Sequence, residues 1–176
     1  MIPQTGKEAL PQFVSMLLAE YYEPLERLCD NINSHIEQFE NRSPFLEHIN
    51  YSTSLAGETK GFVEQRKLVF VPYLYELSEK SATGHDCANC SGGCDMQHTL
   101  KLMEFTDSLR KMQSTLAYIQ REFVALEGYK ESSDAALTWL RSEVNTLGNL
   151  LDELLEKEDA LIPDIQYAQK NINAHS

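Results

Sequence analysis

Residues 102–126 read LMEFTDSLRKMQSTLAYIQREFVAL, with apolar positions at Leu102, Phe105, Leu109, Met112, Leu116, Ile119, Phe123 and Leu126. Steps of three and four alternate without a miss, which is the seam of a packed helix. Gly128 closes this run, and Ser132 or Ser133 ahead of Asp134 offers an N-cap for another. The next helix repeats the rhythm through Leu137, Leu140, Val144, Leu147, Leu151 and Leu154. A connection this short makes the two helices antiparallel neighbours with facing seams. Pairing seam positions whose numbers sum to about 256 sets Leu102 against Leu154 and Leu116 against Leu140, and the same register places His98 level with Glu158.

The N-terminal half carries two further seams. Val14, Leu18, Tyr21, Leu25, Leu28, Ile32 and Phe39 form the first, with His35 at the remaining position. After a turn at Asn41 to Pro44, with Ser43 as N-cap, Leu46, Ile49, Ala56, Val63, Phe70, Leu74 and Leu77 form the second. Lys60 and Lys67 interrupt that seam, Gly57 and Gly61 loosen it, and Pro72 predicts a kink or a break. Period-two alternation never persists, so strands have no support. The pattern predicts an all-α protein, a single domain over 1–176. Its architecture is an up-down-up-down four-helix bundle with a short C-terminal helix after Pro163. A Cys-rich loop over 81–96 joins helices two and three, and 171–176 forms a frayed tail.

Composition narrows the function. The 176 residues hold 15 Lys and Arg against 27 Asp and Glu, a net charge of −12 at pH 7, which repels a phosphate backbone or an anionic membrane. No apolar run reaches the ~20 residues that cross a bilayer, and MIPQTGKEALPQ lacks the charged and apolar blocks of a signal peptide. A soluble, cytoplasmic protein is expected, with no nucleic-acid or membrane partner.

The chemistry-bearing segment is SATGHDCANCSGGCDMQH, residues 81–98. Cys87, Cys90 and Cys94 have the spacing C-x2-C-x3-C between His85 and His98, so soft and borderline ligands can converge on one ion. Gly84, Gly92 and Gly93 allow the tight backbone this requires. Thiolates suit zinc, ferrous iron, or an iron–sulfur cluster with an open position. The other readings of the same cysteines are a disulfide or free thiols. Cys29, on the first helix, reads as a buried thiol. Glu158, on an apolar seam, must be ion-paired, protonated or bound to metal, because an unpaired buried carboxylate costs several kcal/mol. His35 and His48 read as surface or interfacial residues near the opposite end. Tyr21, Tyr22, Tyr73, Tyr75 and Trp139 are either core or exposed aromatic anchors for a partner.

The length, the helix count and three segments, GFVEQRKLVFVPYLYEL, DELLEKEDALIPDIQYA and DMQHTLKLMEF, resemble the hemerythrin-like, or HHE cation-binding, four-helix bundles. The resemblance implies inward histidines and carboxylates that bind two irons, with roles in oxygen binding or in responses to nitric oxide and iron. His98 then matches a helix-three histidine and Glu158 a helix-four carboxylate, while Glu153 falls where a fourth-helix histidine is expected. Before Pro72 the corresponding positions are Phe62, Arg66 and Lys67, which cannot ligate iron, so a full di-iron centre is not expected.

Three functions follow in order. The first is a metal-binding or redox-responsive protein with a sensing role, using Cys87, Cys90, Cys94, His98, His85 and Glu158. The second is a non-catalytic interaction module that docks a protein partner or a second copy. An enzyme comes last, since no nucleophile elbow, P-loop or dinucleotide fingerprint is present.

Overall fold

The computed structural model describes residues 9–39, 45–83, 94–127 and 135–174, and every element among them is a helix. The first rod comprises α1 (Ala9–Leu17), a π-helical turn over Leu18–Tyr22, and α2 (Glu23–Glu37). The second comprises α3 (Leu46–Gln65), a π-helical turn over Arg66–Phe70, and α4 (Val71–Thr83). Two uninterrupted helices follow, α5 (Cys94–Glu127) and α6 (Ala135–Ala174).

The spacing of buried residues explains which rods are broken. In α5 and α6 the steps of three and four alternate, and their mean stays close to the 3.6 residues of an α-turn. In the first rod Leu17, Tyr21, Leu25 and Cys29 are all buried, three steps of four in succession. Phe62, Arg66, Phe70 and Leu74 repeat this in the second. Each step of four overshoots an α-helical face by about 40°, so three in a row turn the buried face away from the core by about 120°. One wide turn takes up the surplus residue. Its closing bonds run five residues back, from the Glu23 N–H to the Leu18 carbonyl and from the Val71 N–H to the Arg66 carbonyl. Pro24 and Pro72 come next, and the widened turn lies where each proline ring would otherwise press on the carbonyl four residues earlier.

The interruption expected at Pro72 is present as the π-turn that precedes it, beyond which the rod continues as α4. Three other sequence expectations change at this level. Pro163 does not separate a short final helix, for α6 runs through it and buries Leu161, Ile165 and Ile172 along one face. That burial also carries helix to Ala174, into the stretch expected to fray. Leu46, assigned to a seam, is exposed at the start of α3.

α2 packs against α3 and α6, and α5 packs against the same two; α4 lies on α6, and α1 lies on α4. Each of the first four contacts is antiparallel. Asp30 pairs with Lys60 while Glu26 pairs with Lys67. Tyr51 meets Tyr118 while Arg66 reaches Ser108. His35 stacks on Trp139 while Tyr22 meets Glu158. Between α5 and α6, Gly148 faces Leu116 and Gln120, and Gln169 reaches the His98 carbonyl.

This last pairing corrects the expected hairpin register by two to three turns, about 1.5 Å per residue along α6. His98 is level with Gln169, not Glu158.

Candidate functional site

Glu158 follows Leu151 and Leu154 on the inward face of α6 and has no exposed surface. Its carboxylate is shared between two rods. Oε1 accepts a hydrogen bond from the Tyr22 hydroxyl at 2.8 Å, and Oε2 accepts one from Arg66 Nε at 2.9 Å. Arg66 is equally buried. Its Nη1 donates to Ser108 Oγ at 3.1 Å and its Nη2 to the Phe105 carbonyl at 3.4 Å, while Ser108 donates onward to Gln65 Oε1 at 2.7 Å. The rings of Phe62, Phe70 and Phe105 surround the guanidinium, their centroids 4.1, 4.5 and 4.4 Å from its central carbon. Cation–π attraction and three hydrogen-bond acceptors thus replace the water that Arg66 gives up.

The electrostatics are those of a sealed pair. Burial pushes the Glu158 carboxyl above the usual carboxylate range, against the opposing pull of Arg66 and the Tyr22 hydrogen bond. Burial, then the neighbouring Glu158 charge, pushes the Tyr22 phenol well above its ordinary value. Both oxygens of Glu158 are engaged and Arg66 has no lone pair to offer, so the centre of the bundle presents a structural ion pair. Arg66 and Phe62, two of the positions compared with ligands in the sequence, form part of this ion-pair cluster.

No family model, curated protein or solved structure matches the chain.

The sequence-derived site residues are not all brought together. His98 is buried near the start of α5, its ring 5.8 Å from that of Tyr73, and Gln169 Nε2 bridges the Tyr73 hydroxyl and the His98 carbonyl at 2.6 and 3.0 Å. Glu158 instead belongs to the level of Phe105 and Ser108 through Arg66. His85, Cys87 and Cys90 lie outside the described residues, as does the Cys94 side chain, although the backbone of Cys94 opens α5. Among the described residues, no three His, Cys, Asp or Glu side chains are grouped to hold a metal ion. Tyr21, Tyr22 and Tyr73 are core, Trp139 is half-buried on His35, and only Tyr75 of the aromatic candidates is exposed. His48 is buried against Phe123. Among the described residues, no helix is long and apolar enough to cross a membrane.

Sequence reasoning identified Glu158 as inward but passed over its partners. The signal for Arg66 was present. It stands four residues after Phe62 and four before Phe70, a charge on an apolar face, while Lys67 beside it is half-exposed and pairs with Glu26 at the surface. Outside the core, two adjoining grooves of about 710 and 430 Å³ run between α3 and α5. Gln65 and Ser108 line the smaller, so it lies directly over the Arg66 cluster.

Proposed function

We propose that the protein is a metal-binding or redox-responsive sensor built on an up-down-up-down four-helix scaffold of hemerythrin-like type. Cys87, Cys90 and Cys94, together with His98 or His85, would hold zinc, iron or an iron–sulfur cluster. The observation that supports this reading is the unbroken course of α5 from Cys94 through His98. It sets a thiol-bearing residue and an imidazole-bearing residue one turn apart on one face, the i, i+4 spacing by which helices present paired metal ligands. Metal binding or thiol oxidation would change the surface at this end of the bundle and so its affinity for a protein partner. A reducing, cytoplasmic setting suits that chemistry.

A second reading is an interaction module of the same fold without a metal. The filling of the bundle centre by Arg66, Glu158 and Tyr22 favours it. Anaerobic purification, elemental analysis and an absorption spectrum separate the two. The sensor holds near-stoichiometric metal that is lost in Cys90→Ser and Cys94→Ser, while equally low metal in all three proteins leaves the interaction module, whose partner or dimer light scattering then detects.

A further inference from the structure

Glu158 touches the two π-turns and joins them. Tyr22 is the last residue of one and Arg66 the first of the other, and each holds a different oxygen of the same carboxylate. The segments beyond the turns, α1 and α4, pack on each other, and α4 also lies on α6, where Gln169 reaches the Tyr73 hydroxyl, whereas α2 and α3 continue into the body of the bundle against α5 and α6. We propose that the α1–α4 pair is a hinged unit, with the two π-turns as its paired hinges and Glu158 as the single latch that opens or holds both.

The physical argument is one of stranded charge. Straightening the second π-turn pulls Arg66 from Glu158 and leaves a carboxylate buried with one partner. Loosening the first removes the Tyr22 hydroxyl and leaves Arg66 facing a less well satisfied acid. Either event makes the other easier, so the two hinges open together. A route to water for the guanidinium is already in place, because Ser108 and Gln65, at the end of its hydrogen-bond chain, border the groove of about 430 Å³ between α3 and α5. The outer wall of the second hinge bears Leu68 and Val69 exposed at 69% and 39%, residues that contribute little burial to hold it shut. Since α4 ends at Thr83, the hinge also sets the mount from which the cysteine segment departs. The proposal does not depend on that segment binding metal.

Native-state hydrogen exchange of the intact chain in rising sub-denaturing urea tests this. The amides of Glu23 and Val71, which close the two turns, are expected to share one opening equilibrium and one urea dependence, distinct from those of residues 109–119 in α5. Glu158→Gln keeps the volume but removes the charge. It is expected to speed exchange at both turns together by about tenfold or more while residues 109–119 change far less. Should that variant not fold, the double substitution Arg66→Met with Glu158→Leu removes the latch without stranding a charge, and the two turns should then exchange at unequal rates. Response of one turn alone in Glu158→Gln, different urea dependences in the unmodified protein, or matched rates that persist in the double variant would each overturn the proposal.

Discussion

Arg66 is a guanidinium without exposed surface in a protein whose net charge is −12. Whether it stabilises the fold depends on the reference state. Taking both charges from water costs several kcal/mol per ion before their attraction offsets it, so the pair by itself is weak evidence of stability. Removing one member is a different matter. Arg66→Met is expected to destabilise the protein by about 3–5 kcal/mol in urea denaturation at pH 7, because Glu158 remains buried with Tyr22 alone. Adding Glu158→Leu should recover part of that loss, since two apolar side chains among Phe62, Phe70 and Phe105 need no partner, the remainder being the Tyr22 hydroxyl left buried without its acceptor. A double variant as unstable as the single one would mean that shape, not charge, governs the site. Cys29 gives a pH prediction. Burial pushes its thiol from 9.0 up to about 12. A folded value raised above the unfolded one gives a contribution that is complete below pH 9 and declines as pH rises toward 12, by about 1.4 kcal/mol per unit. Tyr22 is raised as well and declines in the same direction. The alkaline fall in stability between pH 9 and 12, followed by urea midpoints, should therefore be shallower in Cys29→Ala but not absent.

At the scale of elements, the difference between straight and broken rods was written in step lengths. Alternation of three and four along Leu102 to Phe123 leaves an α-helix nothing to correct, and α5 is unbroken. The run Leu17, Tyr21, Leu25, Cys29 and the run Phe62, Arg66, Phe70, Leu74 need a wide turn; the first is written in apolar residues alone, but the second was legible only to a reader who admitted Arg66 as a core residue. Hydrophobicity excludes it, and only the phenylalanine cage and the acid on another helix make it acceptable there. Pro163 misled for a related reason. A proline removes one hydrogen bond and strains one turn, and apolar residues continuing in phase on its far side outweigh that. Gly57 and Gly61 in α3 are a plainer case. A Cβ placed on either meets nothing within 4 Å, so no close approach explains them. Gly57→Ala and Gly61→Ala should each stabilise the protein by about 0.5–1 kcal/mol, chiefly by restricting the unfolded chain. Calorimetry would read this as a higher Tm; a lower Tm would show that the open groove between α3 and α5 needs both positions bare.

For the molecule as a whole, the sequence made the helical class and most of the core legible because packing repeats every turn, so many residues vote on the same answer. The register between α5 and α6 rested instead on a single assumption, that facing residue numbers sum to about 256, and its error shifted every pairing at once. The site inherited that shift, which is why His98 and Glu158, each correctly read as inward, lie at different levels. Charge operates at this same scale. The ion pairs Lys60–Asp30, Lys67–Glu26 and Lys101–Glu76 are partly exposed, and such contacts contribute little individually. What remains is a surplus of acids, 27 against 15 bases. Folding draws those carboxylates together, and their mutual repulsion opposes the native state. Salt screens repulsion over a Debye length that shrinks from about 14 Å at 0.05 M to about 4 Å at 0.5 M, while the sealed Arg66–Glu158 pair is screened far less. Raising sodium chloride across that range at pH 7 should therefore stabilise the protein by about 1 kcal/mol, about 2–4 °C in Tm for a chain of this size. A fall in Tm on adding salt would mean that the exposed ion pairs outweigh the surplus charge.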